Sequence, residues 1–277
     1  MFKLVVRGIA IALWLVLIVL YFIFQPKNLL MSSASYSNLD LRRLSDARAH
    51  RTDLETQNHE RYVIWSFEVP RSRQNVVLCR GMTGNIASPV VLEKAKLFNR
   101  LGCNVYAFDY LGCSDAALSS AERTLNVACA TLDWVARNKN CRRDQIVLYG
   151  GSFGGAVMAQ AATKGPLRSL ILDCTPFSMA AVLHDAAPIS QIIYLPWSFP
   201  ANQFETDKVV RSLKMPVLFI HGQLDDVVPW QETKRLYDAA VEPKTLVLLP
   251  HSGHVEEEIS PEDRKRLELE LSRFLKI

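Results

Sequence analysis

The sequence predicts an α/β domain with a doubly wound, mostly parallel sheet and a small cap, preceded by one N-terminal transmembrane helix. Three observations support this fold class. Apolar runs typical of buried strands alternate with helical patterns along most of the chain. The string Gly150 to Gly154 (G-G-S-F-G) lies between one such strand and a helix, and an uninterrupted apolar run occupies Ile9 to Phe24.

Residues 1–30 have the character of a membrane anchor. The apolar run is about 16 residues long, or about 21 when counted from Leu4, which is near the length that spans a bilayer. A secretory signal has a shorter apolar region and a cleavage site soon after it, so an uncleaved signal anchor is favoured over a removed signal peptide. Because Lys3 and Arg7 precede the run, we expect a cytoplasmic N-terminus, with the following domain on the periplasmic or lumenal side.

Composition indicates one globular domain, residues 61–277, after a solvated helical linker at residues 31–60. The chain has 277 residues, of which 49% are hydrophobic and 22% charged, with a net charge of +4. Its basic residues are scattered among acids, so nucleic-acid binding is not indicated. The six cysteines show no metal-ligand spacing, and we expect neither a metal nor an organic cofactor.

Strand and helix patterns alternate along this domain, which predicts a mostly parallel sheet. In order they are strand 75–79, helix 87–100, strand 103–108, helix 121–138, strand 145–149, helix 156–163, strand 167–173, helix 206–213, strand 215–221, helix 231–240, strand 245–250 and helix 261–274. The alternation stops at residues 176–205, where apolar and aromatic residues crowd a proline-broken stretch that we interpret as a small cap. Such a cap suits an acyl chain or lipid-like ester, but simple packing on the sheet explains its composition equally well.

The glycines of the G-G-S-F-G string have a steric task between strand and helix. They let the chain turn so sharply that Ser152 takes a strained backbone conformation with its hydroxyl exposed above the sheet edge. The backbone N–H of Phe153, at the helix start, would meet an anion forming on a substrate carbonyl. The alternative is a glycine-rich turn that only joins the two elements.

Two further polar groups follow apolar strands downstream. Asp225 lies on the loop after the strand that ends at His221, and His254 follows the next strand. In open α/β sheets the carboxyl ends of strands build the site, so we expect Ser152, Asp225 and His254 to converge there. Asp226 is an alternative acid and His251 an alternative imidazole, whereas we interpret His221 as a satisfied core histidine.

Three more segments complete a recognisable set: G-x-x-D-x-x-V-P at Gly222 to Pro229, S-G-H at Ser252 to His254, and the aromatic-Asp-Tyr-x-Gly-x-Ser pattern at Phe108 to Ser114. With them the chain resembles the α/β-hydrolase superfamily over about 215 residues, in particular its small-lidded, membrane-anchored serine hydrolases of the serine-aminopeptidase-like or esterase-like branch. The resemblance implies Ser152 as nucleophile, His254 as general base and acid, and Asp225 as the carboxylate that orients His254.

The loop after the strand 75–79 departs from the family pattern. Where the family usually has His-Gly, this chain has Arg80-Gly81, followed by Met82. The resemblance implies the N–H groups of Met82 and Phe153 as the oxyanion hole, since a backbone donor does not depend on its side chain. Arg80 has two interpretations: an ion pair with an acid such as Asp109, or a clamp for an anionic substrate group.

The sequence therefore predicts a membrane-anchored serine hydrolase that cleaves carboxylic esters, of small-molecule or lipid-like kind, through an acyl-serine intermediate. Two alternatives remain at this point: a peptidase or amidase of the same fold, and a catalytically silent, membrane-tethered binding protein.

Overall fold

An eight-stranded sheet organises the computed structural model, which describes residues 14–16, 35–82, 84–109, 121–178, 204–255 and 259–277. The strands are β1 (His50–Glu55), β2 (Arg61–Phe67), β3 (Gln74–Cys79), β4 (Cys103–Phe108), β5 (Ile146–Gly151), β6 (Ser169–Asp173), β7 (Val217–Gly222) and β8 (Lys244–Leu249). Their spatial order is β1-β2-β4-β3-β5-β6-β7-β8. Strand β2 is antiparallel to β1 and β4, and all other pairs are parallel, so the predicted mostly parallel sheet is confirmed.

Helices cover both faces of the sheet. They are α1 (Asn38–Asp46), α2 (Pro89–Arg100), α3 (Ala121–Asn138), α4 (Phe153–Ala162), α5 (Thr206–Val210), α6 (Trp230–Ala239) and α7 (Pro261–Leu275). One hydrophobic core joins the sheet to α3, α4, α5 and α6, and a second core on the opposite face joins it to α1, α2 and α7. This two-sided cover is why β4 and β5 are buried along their whole length, and β3 from Asn75 onward.

Serine caps begin three of the helices. Ser37 for α1, Ser88 for α2 and Ser260 for α7 each accept a backbone N–H from the third helical residue. Pro89 and Pro261 open α2 and α7, where a missing N–H costs nothing because that group has no partner within the helix. The start of α7 at Pro261 therefore agrees with the predicted helix 261–274.

The sheet begins before the domain boundary that the sequence suggests at residue 61. Strand β1 lies within the predicted linker, 31–60, and its residues pair with β2 from His50 opposite Ser66 to Glu55 opposite Arg61. Helix α1 precedes it and buries Leu44 in the core. Residues 35–60 are thus packed onto the domain, and the predicted solvated linker needs this correction.

Two predicted features fall mainly outside the described residues. Of the apolar run 9–24, only residues 14–16 are described, and they are helical; of the cap 176–205, only its two ends are described. Over the described ranges, no helix combines the length and the apolar character that crossing a bilayer requires. The anchor and the cap therefore stay predictions.

A buried ion pair ties α2 to the end of β6. The Lys94 ammonium lies 2.7 Å from the Asp173 carboxylate, and the Tyr149 hydroxyl donates to the same oxygen at 2.7 Å. Both charged side chains are less than a tenth exposed. Because a buried carboxylate without a counter-charge is costly, Lys94 stabilises the Asp173 carboxylate at the end of β6.

Replacing Lys94 by Met is expected to lower the free energy of unfolding by about 3 kcal/mol, since Asp173 would stay buried without its cation. Urea unfolding followed by circular dichroism measures the change. The matched control is Lys96→Met on the same helix, because Lys96 makes only an exposed pair with Glu93, and a change within about 0.5 kcal/mol is expected there. Equal effects of the two substitutions would contradict a role of the buried pair.

Candidate active site

Ser152 occupies a sharp turn between β5 and α4. Its backbone lies at φ 52° and ψ −125°, a region that residues with side chains rarely adopt. The Ser152 N–H donates to the carbonyl of Asp173 at 2.7 Å, which holds the turn against the end of β6. The strained turn that the glycine pattern predicts is therefore present, and it presents the serine at the N-terminal end of α4.

The turn needs glycine because three backbone segments meet there. A Cβ added at Gly154 would lie 2.3 Å from the carbonyl oxygens of Cys79 and Arg80, and one at Gly150 would lie 2.4 Å from the Gly154 oxygen. Helix α4 thus approaches the end of β3 more closely than any side chain allows. Consequently Gly81, the next residue along that loop, lies against Ser152: a Cβ added at Gly81 would lie 3.6 Å from the Ser152 Cβ.

Asp225 is a fully buried carboxylate that accepts hydrogen bonds on both oxygens. Oδ1 accepts the N–H groups of Val227 and Val228 at 2.9 and 2.8 Å. Oδ2 lies 2.7 Å from His254 Nδ1 and 2.9 Å from His221 Nε2. Burial alone would raise the pKa of this carboxyl, but the bonds from His221, His254 and Val228 outweigh it, and the net pKa is lowered.

The bond to Asp225 decides the tautomer of His254. Because an ionised carboxylate only accepts, the proton of the neutral imidazole lies on Nδ1, and Nε2 carries the lone pair. The side chain is 17% exposed, so the ring reaches the surface of the site. An imidazole with a buried anion on one nitrogen and a free lone pair on the other is suited to accept a proton from a hydroxyl group.

The end of β6 joins the serine to the histidine. The Ser152 N–H donates to the carbonyl of Asp173, the last residue of β6. Cys174 follows Asp173, and its sulfur accepts the N–H of Val255, the residue after His254, at 3.2 Å. Among the contacts of the described residues, the Ser152 hydroxyl makes no direct hydrogen bond to His254. Such bonds are often long before a substrate binds.

The rival residues that the sequence offered are not part of this arrangement. The Asp226 side chain is exposed, and it is the neighbouring Asp225 that accepts the hydrogen bond from His254 Nδ1. His251 is also exposed, and its backbone N–H donates to Asp263 at 2.8 Å.

His221 contributes more than its sequence position suggested. It is fully buried, as predicted for a satisfied core histidine, with Nδ1 2.6 Å from the Thr233 hydroxyl. Nε2 lies 2.8 Å from the Val228 carbonyl as well as near Asp225, so this nitrogen carries a proton. The Asp225 carboxylate therefore has two histidine neighbours. In the sequence, the short spacing of four residues between His221 and Asp225 is the feature that indicates the second contact.

The two interpretations of Arg80 are now distinguished. Its guanidinium is 1% exposed and donates from Nε to Asp109 Oδ1 at 2.6 Å. A group enclosed in this way has no surface with which to bind a substrate anion. Arg80 as a substrate-binding residue is therefore corrected to a buried ion pair with Asp109.

Cys174, Asp225 and His254 form the one cluster of the described chain with the spacing of metal ligands, their ligand atoms lying within 4.8 Å of one another. Burial, with the charges of Asp173 and Asp225, raises the pKa of the Cys174 thiol well above its usual range. Since metal ions bind the thiolate, and Asp225 and His254 already bond to each other, we assign no metal to this cluster.

A mostly parallel sheet covered on both faces, with a serine at a strained strand-to-helix turn and an acid and a histidine after later strands, defines an α/β-hydrolase. The chain belongs to the prolyl oligopeptidase family, whose profile matches residues 121–276. This match includes the serine, the acid and the histidine.

Curated relatives extend the comparison. The uncharacterized protein YfhR of Escherichia coli strain K12 is 31% identical over 55% of this chain, and the alignment spans only 54% of the length of YfhR. The uncharacterized protein MT2364 of Mycobacterium tuberculosis is 30% identical over 74% of this chain and 72% of its own. The lysophosphatidylserine lipase ABHD12 of Danio rerio is 29% identical over 62% of this chain and 48% of its own.

Among solved structures, the Pyrococcus furiosus esterase Pf2001 superposes with a TM-score of 0.67 at 18% identity, covering 89% of this chain and 95% of its own. At that identity the likeness concerns the fold.

The lowered pKa of Asp225 predicts how stability depends on pH. The folded pKa lies below the unfolded value near 3.8, so the stabilisation by this group is fully present above about pH 4 and is lost as pH falls toward the folded pKa. Urea unfolding between pH 7 and pH 3 should show the stability difference between wild type and Asp225→Asn shrinking only below about pH 4. A difference that is constant across this range would contradict the lowered pKa.

Proposed function

We propose that this chain is a membrane-anchored serine hydrolase that cleaves carboxylic esters, with Ser152 as nucleophile, His254 as general base and acid, and Asp225 as the orienting carboxylate. The observation that carries the proposal is the buried Asp225–His254 bond of 2.7 Å, on the same sheet edge as a serine held at φ 52°. A serine hydroxyl is a weak nucleophile near neutral pH, and this pair supplies the base it lacks.

The proposed reaction has two halves. His254 Nε2 takes the proton of Ser152 as its oxygen attacks the substrate carbonyl, and then gives that proton to the departing alcohol, leaving an acyl-serine. Water, deprotonated by the same nitrogen, then attacks the acyl group, and His254 gives that proton to the Ser152 oxygen as the acid is released. The backbone N–H groups of Met82 and Phe153 stabilise the oxyanion in both halves.

An ester with an apolar acyl part is the substrate class that we favour. Leu224 and Val227 flank Asp225 and are 65% and 59% exposed, so the acid loop presents apolar surface beside the site. The Pyrococcus furiosus neighbour is described as an esterase and the Danio rerio relative as a lysophosphatidylserine lipase. A peptidase or amidase activity is the second candidate, and the description of the prolyl oligopeptidase family favours it.

Labelling of the detergent-solubilised protein by a fluorophosphonate probe tests the activated serine. We expect wild type to be labelled, and Ser152→Ala and His254→Ala to lose labelling by at least about 100-fold while keeping the wild-type circular dichroism. His251→Ala is the matched control and should label like wild type. Labelling that survives in Ser152→Ala would refute the nucleophile, and a folded wild type without labelling would indicate a binding protein on a hydrolase scaffold.

The substrate class is tested with pairs of substrates, an ester and an anilide, that share one acyl group. We expect wild type to hydrolyse p-nitrophenyl esters faster than the corresponding p-nitroanilides, with a preference among acyl lengths. Anilide hydrolysis at an equal or higher kcat/KM would favour the peptidase or amidase instead.

The apolar run Ile9 to Phe24 supports a single-pass anchor, with the N-terminus in the cytoplasm and the hydrolase domain on the periplasmic or lumenal side. The full chain is expected to stay in the membrane pellet after alkaline carbonate extraction. A chain lacking residues 1–30 is expected in the supernatant and should still be labelled. Protease protection in sealed vesicles tests the orientation, and release of the full chain by carbonate would contradict the anchor.

A further inference from the structure

Asp109, directly after β4, accepts three hydrogen bonds from two separate segments, the loop between β3 and α2 and the residues just before α1. Oδ1 accepts Arg80 Nε at 2.6 Å, from the loop that follows β3. Oδ2 accepts the backbone N–H of Ile86 at 3.3 Å and the hydroxyl of Tyr36, which lies just before α1. The carboxylate thereby connects the N-terminal part of the described chain to the loop that faces Ser152.

The direction of the Tyr36 hydroxyl is fixed by Trp65. The indole Nε1–H of Trp65 only donates, and it donates to the Tyr36 oxygen at 2.9 Å. The proton of Tyr36 is therefore directed to Asp109. The rings of Tyr36 and Trp65 pack against each other with centroids 5.6 Å apart. A further bond of 3.3 Å, from Asn85 to Asp40, ties α1 to the loop that also carries Arg80.

Arg80 makes a second bond that bears on the reaction. Its Nη1 donates to the carbonyl oxygen of Gly81 at 3.0 Å. That carbonyl and the N–H of Met82 belong to one planar peptide unit, and in a trans peptide they point in opposite directions. By holding the oxygen, the guanidinium sets the direction of the Met82 N–H, beside a glycine that lies against Ser152.

We propose that Arg80 and Tyr36 are positioning residues of the oxyanion hole: Arg80 orients the Gly81–Met82 peptide, and Tyr36 holds Arg80 in place through Asp109. This inference rests on the proposed function, in which the Met82 N–H is an oxyanion donor. Neither side chain touches the substrate.

The choice of arginine has a physical reason. A guanidinium presents several donors in a rigid plane, so one side chain binds a carboxylate through Nε and a carbonyl through Nη1 at the same time. A lysine carries the same charge on a single nitrogen and lacks this geometry. Since burial of two charges contributes little net stability, the pair's main consequence here is a defined loop conformation.

The test compares an ester with the matched thionoester, in full-length, detergent-solubilised protein. Sulfur is a weak hydrogen-bond acceptor, so the thionoester gains less from the oxyanion hole than the ester does. Loss of folded protein lowers both rates equally, whereas a misdirected N–H lowers the ester rate more. The ratio of the two kcat/KM values therefore reports the oxyanion hole alone.

For Tyr36→Phe we expect the ester kcat to fall about 10-fold, with KM close to wild type and a lower ester-to-thionoester ratio. We also expect a lower Tm, because Trp65 and Asp109 each lose a partly buried hydrogen bond. For Arg80→Lys we expect a fall of about 100-fold and a still lower ratio. The matched control is Tyr62→Phe, which removes the hydroxyl of a buried tyrosine on β2 and should leave the ratio unchanged.

The outcomes separate this inference from the function on which it rests. An active wild type whose ratio is unchanged in Tyr36→Phe overturns the inference and leaves the proposed function standing, even if Arg80→Lys fails to fold. A ratio that Tyr62→Phe lowers equally also overturns it. A folded wild type that hydrolyses no ester and takes no fluorophosphonate refutes the proposed function, and the inference with it.

Discussion

Helix α4 begins so close to the end of β3 that Gly154 leaves no room for even a methyl group, since a Cβ added there would lie 2.3 Å from two carbonyl oxygens. That approach makes the rest of the site geometry possible. It forces the turn at Ser152 into a positive φ, places the first N–H groups of the helix beside the serine, and brings the loop of Gly81 against it. The strain at one residue is offset by the packing of the strand and the helix on either side.

A second constraint concerns charge. The Asp225 carboxylate is removed from water, which by itself favours the protonated acid, yet four N–H groups converge on its two oxygens. These bonds keep the group ionised, and an ionised neighbour stabilises an imidazolium on His254. His221 has a part in this because its ring supports the same oxygen from the interior side. The acid is therefore held in one orientation by groups from β7 and from the loops after β7 and β8.

Much of the fold follows from local patterns in the sequence. Buried parallel strands read as apolar runs, and the glycines around Ser152 serve a close turn between a strand and a helix, so the sheet and the turn are predictable. The position of Asp225 and His254 after successive strands indicates their convergence. The edge of the sheet was not predictable in this way, because β1 is largely exposed and polar and carries no apolar periodicity.

Contacts between distant segments account for the remaining differences. Tyr36 reaches Asp109 across 73 residues, a contact that no local pattern indicates, whereas the pair of Arg80 with Asp109 is one of the two interpretations that the sequence allows. A sequence shows which charges are available, but the choice of partner depends on how the strands are ordered in the sheet. For the same reason the sequence predicts His221 only as a core residue, although its ring also lies 2.9 Å from the Asp225 carboxylate.

The composition of β1 has a consequence for association. A strand at the end of a sheet exposes unpaired backbone groups to which a strand of another molecule can add. In the six residues His50–Glu55, four side chains are ionisable, and Arg51 and Asp53 pair with each other at 2.6 Å on the exposed edge. Adding a second chain there would bury these charges, so the strand that completes the sheet also protects it against edge-to-edge aggregation.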